Sequence, residues 1–166
     1  MKRPTPPVAL ESVAADELDV FFSHMHAQYV GERMQADSLS RAEAEALVAE
    51  QRRSTLPHGV ATPGQHLAWG VDARTQQRVG LLWIAIDDRY RHAFIYQIFV
   101  FPKFRRSGYG RALLDAAETF ARSRGARALA LNVFAPNRGA IALYESAGFA
   151  ATSQHMSKPL SKEDFR

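Results

Sequence analysis

The chain of 166 residues carries 46% apolar and 23% charged side chains and a formal charge of +4, the balance of a soluble globular protein with enough chain for one core. It contains no cysteine, which excludes disulfides, thiolate zinc sites and cysteine nucleophiles. No apolar run approaches the length of a membrane span, and Met1-Lys2-Arg3-Pro4 leads into no hydrophobic signal region, so a cytoplasmic protein of one domain over 1–166 is expected.

In chain order, residues 1–8 hold three prolines and read as a loose arm. Val8 to Val13 can form a short strand. Asp16 opens a helix whose first turn holds Asp16, Glu17 and Asp19, which suit the positive end of a helix dipole. Leu18, Phe21, Phe22, Met25 and Tyr29 recur at helical spacing, and the helix is expected to stop near Gly31 or a few residues later. Ser40 and Glu43 form a capping box for a second helix over Arg41 to Ser54. Pro57, Gly59, Pro63 and Gly64 mark a loop.

His66 to Asp72 and Arg78 to Ile86 read as an antiparallel hairpin, and His92 to Phe101 as a third strand. A helix from about Tyr109 to Arg124 puts Leu113, Ala117, Phe120 and Ala121 on one face. Ala128 to Phe134 is a further strand. Asn137 caps a last helix carrying Ile141, Tyr144 and Ala147 on one face, and Phe149 to Leu160 is a final strand or two. The order predicts an α/β (α+β) fold, a mixed central sheet with helices on both faces.

Charge is unevenly spread. Residues 1–50 hold four basic and nine acidic side chains, whereas Lys103 to Arg138 holds eight basic residues against Asp115 and Glu118. Arg122, Arg124 and Arg127 read first as solvated surface; the basic segment as a whole can rim a polyanionic ligand. Nucleic acid is disfavoured, because the aromatics lie in apolar runs and do not alternate with the basic residues. His24 and His26 do not share a helix face, so no metal site is expected.

The most informative stretch is Gln97 to Arg111. A buried strand ends at Pro102 and leads into Arg105-Arg106-Ser107-Gly108-Tyr109-Gly110-Arg111, which opens a helix. Glycines, fixed positive charge and a helix N-terminus together suit a phosphorylated ligand. The loop lacks the third glycine of a dinucleotide fingerprint and the Gly-Lys-Ser/Thr of a nucleotide P-loop.

The ordered string Val100-x-Pro102-x-x-Arg105-Arg106-x-Gly108-x-Gly110, then Leu131-x-Val133, then Asn137-x-x-Ala140-x-x-Leu143-Tyr144-Glu145-x-x-Gly148-Phe149 resembles the GCN5-related N-acetyltransferase (GNAT) superfamily. The motif core covers 97–149. The resemblance implies acetyl-CoA (acetyl-coenzyme A) as co-substrate, with no metal. It implies that main-chain N–H groups of Arg105, Arg106, Ser107, Gly108, Tyr109 and Gly110 hold the pyrophosphate, with Arg111 adding fixed charge to the cofactor site. Ile98, Phe99 and Val100 would run beside the pantetheine, with a bulge expected over Gln97 to Val100. Asn137 would bond the pantetheine side, in addition to capping its helix. Tyr144, a core aromatic by spacing alone, would protonate the leaving thiolate.

The implied acceptor is an amine, cationic in keeping with the acidic N-terminal helices at about 16–55, and the implied oligomer a monomer or homodimer. Many family members carry a carboxylate near the start of the cofactor strand; here Gln97 stands there and cannot act as a base. Asp87, Asp88, His92 and Tyr96 are the substitutes within reach in sequence. The alternative reading is a non-catalytic acyl-coenzyme A binder of the same fold.

Overall fold

The computed structural model describes residues 5–158 and residue 160. Residues 1–4 of the expected arm, and Pro159 of the expected last strand, lie outside the described residues. Five strands, β1 (Val8–Ser12), β2 (Gln65–Asp72), β3 (Arg78–Asp87), β4 (His92–Val100) and β5 (Ala128–Leu131), form one sheet in that spatial order. The pairs β1–β2, β2–β3 and β3–β4 are antiparallel; β4–β5 is parallel. The sheet is therefore mixed, as the element order predicts.

Four helices cover it: α1 (Leu18–Asp37), α2 (Arg41–Thr55), α3 (Tyr109–Ser123) and α4 (Arg138–Ser146). On one face Phe21, Phe22 and Met25 of α1 pack with Trp69, Leu81, Trp83 and Phe99 of the sheet. On the other, Leu114, Ala117 and Ala121 of α3 pack with Leu82, Ile84, Ala93 and Ile95, and Leu143 and Tyr144 of α4 join them. Each fully buried large side chain of these layers contributes about 1.5–3 kcal/mol relative to exposure.

α3 lies close against the sheet because two glycines face it. Gly70 and Gly80 are paired across β2 and β3. A Cβ on Gly70 would run into Leu113, and one on Gly80 would run into both the Phe99 carbonyl oxygen and Leu113. Leu113, fully buried, thus sits where the sheet has no side chains.

Three expectations change. α1 continues six residues beyond Gly31, to Asp37. A glycine inside a helix costs about 1 kcal/mol, and the burial of Phe21, Phe22, Met25 and Val30 outweighs it. β5 ends at Leu131 and not Phe134, because its partner strand diverges there. Among the described residues, Phe149 to Leu160 forms no strand; Ala150 to Lys158 is exposed and irregular, with Ser157 Oγ donating to the Ala36 carbonyl at the end of α1.

Candidate active site

The register of β4 changes in mid-strand. Trp83 of β3 pairs with Gln97, but Ile84 pairs with Ile95, so Tyr96 is an extra residue on β4. The bulge lies one residue before the stretch expected to hold it. The ladder between β4 and β5 stops at the same point: its last pair is Ile95 with Leu131. From Tyr96 onward the two parallel strands separate, which is the usual consequence of a bulge that bends and twists its strand.

Phe101 N–H donates to the Val79 carbonyl at 2.9 Å. Antiparallel pairs alternate, so Phe99 and Gln97 also turn their backbone groups toward β3, while Ile98 and Val100 turn theirs into the gap. The Val100 carbonyl accepts there from Arg105 Nε at 3.0 Å. The gap is thus edged by unladdered main chain on β4, by Asn132 to Phe134 beyond β5, and by α4.

At the end of β4, Pro102 to Phe104 makes one 3-10 turn. Arg106 (φ 61) and Gly108 (φ 88) then adopt left-handed backbone, and Gly108 caps α3. Among the described residues, the N–H groups of Arg106, Ser107, Gly108, Tyr109, Gly110 and Arg111 have no hydrogen-bond acceptor, whereas Arg105 N–H is taken by the Pro102 carbonyl at 3.2 Å. Successive unpaired N–H groups at a helix start form an anion-binding concavity. Gly108 is required by its positive φ. Gly110 has another reason: a Cβ there would lie 3.2 Å from Leu143 Cδ2 of α4.

The side chains of this loop mostly serve the fold. Arg105 bonds Val100, sits over the Phe99 ring and reaches Gln28 of α1 at 3.2 Å. Ser107 Oγ approaches its neighbour's carbonyl at Arg105. Tyr109 donates its hydroxyl to Asp72 at 2.5 Å. Asp72 is fully buried at the β2–β3 turn and also accepts from the N–H groups of Arg74 and Thr75. Those bonds hold the Asp72 carboxyl below the usual range, with the Tyr109 bond first, and they raise the Tyr109 phenol. Arg111 binds Asp115 and the Ser146 carbonyl, tying α3 to the end of α4. Arg106 alone among the three loop arginines has no hydrogen-bond or ion-pair partner among the described residues.

Tyr144 lies on α4 with Phe149 beside it, ring centroids 5.9 Å apart. Burial first, and the charge of Glu32 second, push its phenol up to about 12. Asn137 accepts the Ala140 N–H at 3.2 Å as the cap of α4. Its amide nitrogen has no partner among the described residues.

Across the gap, α1 presents Gln28, Tyr29 and Glu32. The Tyr29 ring lies tilted against Phe134, centroids 6.2 Å apart, and its hydroxyl donates to Gln51 of α2. Gln28 Nε2 donates to Glu32 Oε1 at 2.9 Å. Sequence reasoning missed Glu32. The one signal was its spacing of four from Gln28, which reads equally as a solvated helix face.

A cavity of about 740 Å³ opens on the α1 face beside the β3–β4 turn. It is lined by Asp87, Asp88, Tyr90, Phe94 and the bulge residue Tyr96. Tyr96 stacks on Trp83 at 4.7 Å. Of the proposed bases, Asp87 is occupied in part, accepting the Arg89 and Tyr90 N–H groups. Among the described residues no group of three or more His, Asp and Glu side chains could hold a metal, and no helix is long and apolar enough to cross a membrane.

A mixed sheet whose parallel pair parts at a bulge, with unpaired amides at the mouth of the opening, defines an acyl-group transferase architecture. The chain belongs to the Acetyltransferase (GNAT) family, whose model matches residues 26–149, and is an N-acetyltransferase of that family. It is 33% identical over 155 residues to the uncharacterized N-acetyltransferase YycN of Bacillus subtilis (strain 168), covering 92% of this chain and 99% of that one. The crystal structure of YycN matches with a TM-score of 0.86, over 93% of this chain and 99% of that chain. YdgE of the same organism, also an uncharacterized N-acetyltransferase, is 28% identical over 91% of this chain and 97% of its own length. A stretch of 57 residues is 47% identical to the [ribosomal protein bS18]-alanine N-acetyltransferase of Escherichia coli (strain K12), 34% of this chain and 38% of that one.

Proposed function

We propose that the chain transfers the acetyl group of acetyl-coenzyme A to a primary amine by direct transfer in a ternary complex, as one cytoplasmic domain with α1 and α2 on the acceptor side. The observation that carries this is the parting of β4 from β5 beside six open amides. A diphosphate needs several donors without competing partners, and the N–H groups from Arg106 to Arg111 meet that need, with the α3 dipole behind them. Acetyl-coenzyme A, held there, would supply the acetyl group as an activated thioester.

The residues of the chain divide the rest of the work. The main chain of Ile98 and Val100 guides the pantetheine along the gap, and the Asn137 amide nitrogen donates to it. A main-chain N–H facing the gap stabilises negative charge on the acetyl oxygen. The Tyr144 Oη–H, held protonated across the working pH range, gives its proton to sulfur. The acceptor is a cationic amine. The groove with Asp87, Asp88 and the faces of Tyr90, Phe94 and Tyr96 supports that charge, since carboxylates and aromatic faces both attract ammonium groups.

The test is turnover of acetyl-coenzyme A with a panel of polyamines, aminoglycosides and peptide amines, read as free thiol. Absence of coenzyme A binding in calorimetry at millimolar ligand would sink this reading. Binding with no thiol release against any amine would select the second reading, a non-catalytic acyl-coenzyme A binder, which rests on Gln97 in place of a carboxylate.

A further inference from the structure

The proposed transfer requires an amine that has lost a proton; Gln97 cannot take it, and Asp87 and Asp88 stand at the β3–β4 turn, where Asp87 pairs with His92 four residues ahead of the bulge at Tyr96. We infer that Glu32 of α1 is the general base: it takes the proton of the acceptor ammonium on the face of the gap opposite Tyr144. This inference rests on the acetyltransfer reading above.

Three contacts place Glu32. Arg105, which rises from the amide loop and bonds the Val100 carbonyl inside the gap, donates Nη2–H to Gln28 Oε1. Gln28 passes the chain on, donating to Glu32 Oε1 at 2.9 Å. Tyr29, between them on the same helix, lies against Phe134 at the far edge of the gap. The carboxylate is therefore held by one oxygen, with its second oxygen carrying no protein hydrogen bond among the described residues. Burial raises the phenols of Tyr29 and Tyr144, and the charge of Glu32 adds to the rise in each. The charged groups around it are Arg33, paired with Asp37 on the same helix at 2.8 Å, and Arg105 from the loop; the titratable group facing it from α4 is the neutral Tyr144 phenol. The Arg105–Gln28 link keeps a cation one residue removed, so the carboxylate stays available to an ammonium group.

The protons balance. The acceptor ammonium gives one proton to Glu32, and the nitrogen lone pair forms the new bond to the acetyl carbon. The carbon–sulfur bond breaks, and sulfur takes the proton of Tyr144 Oη. Tyr144 recovers a proton from the acetylated nitrogen, and Glu32 releases its proton to solvent. The sum is ammonium plus thioester giving amide, thiol and one proton. Glu32 and Tyr144 flank one opening with opposite duties, the pairing expected of an acid and a base set apart by environment.

The experiment compares wild type with Glu32→Gln, which keeps size and the Gln28 contact within reach. General bases contribute on the order of 10²–10⁴-fold. The variant is expected to lose at least about 10²-fold in kcat near pH 7 and to recover as pH approaches the acceptor amine's own pKa, where no base is needed. Coenzyme A affinity by calorimetry should be unchanged. In protein without any ligand, ¹³C NMR of the tyrosine Cζ should show the Tyr144 titration moving down in the variant. Equal losses at every pH, or no loss, would overturn the assignment even with wild type active, and so would an unmoved Tyr144 titration. If wild type turns over no amine, the acetyltransfer reading itself fails and the base assignment falls with it.

Discussion

Arg105 donates its Nε–H to the carbonyl of Val100 at 3.0 Å, so the first arginine of the basic loop is folded back onto the strand it follows. The loop looks in sequence like a ring of three phosphate-seeking guanidinium groups. In the molecule two of the three are already engaged, Arg105 with β4 and α1, Arg111 with Asp115 and the end of α4.

This division makes the arginines separable. Arg106→Ala should weaken coenzyme A binding about tenfold, the loss of one charge-assisted contact of roughly 1.5 kcal/mol, and leave the thermal midpoint alone. Arg111→Ala should do the reverse. It frees the end of α4 and should cost about 1 kcal/mol of stability, the scale of an exposed ion pair with an added carbonyl bond. Calorimetric titration and urea unfolding of the two variants decide it.

Tyr144→Phe should lower kcat by about 10²-fold with little change in stability, because a general acid is worth at least that much and the hydroxyl has no protein partner among the described residues. With the phenol pushed up to about 12, the acid stays protonated throughout the usable range. The rate should therefore show no alkaline fall near ~10, where an ordinary tyrosine would ionise. Steady-state rates to pH 10.5 in the wild type test this.

Much of the architecture is legible along the chain. The capping box of Ser40 with Glu43 and the cap at Asn137 mark two helix starts to the residue. The alternating and apolar runs mark the strands. What escapes is set by distance in space. The bulge at Tyr96 depends on which β3 residue faces it, and nothing local in Ile95-Tyr96-Gln97 declares that. Gly31 looks like a stop, but α1, anchored by Phe21, Phe22, Met25 and Val30, runs on past it to Asp37. The tail from Phe149 has strand-like residues and yet finds no strand to join among the described residues. Glu32 and Tyr144 stand 112 positions apart, and only the packing of α1 and α4 about the gap makes them neighbours.

Gly80→Ala should cost about 1–3 kcal/mol, the penalty for overpacking, or prevent folding outright. The added methyl meets the Phe99 backbone, which cannot swing aside, as well as Leu113. Pairing it with Leu113→Ala should restore little, since the carbonyl contact remains. Urea midpoints of the single and double variants measure this.

Acid should loosen the fold in two separate ranges. His66 lies against the Phe120 ring, and burial first, then Arg124, hold its imidazole below the ordinary value. The unfolded chain takes up that proton more readily, so stability falls as pH drops through 6.5, and His66→Phe should remove this step. Glu17 is held down to about 2 by hydrogen bonds from Arg78 first, then Trp69 and the Ala14 N–H. Its contribution is complete above the unfolded value of 4.5 and is lost as pH falls toward 2. Glu17→Gln should flatten that second decline. Thermal midpoints from pH 2 to 8 separate the two.

The bare patch formed by Gly70 and Gly80 reaches further than stability. Leu113 rests there only four residues, about 6 Å at the rise of a helix, from the start of α3 at Tyr109. That short lever fixes the tilt of the helix, and hence the aim of every amide at its tip. A family member that thickened the patch by one methyl would keep all of its ligand-facing residues and still point them at the wrong place.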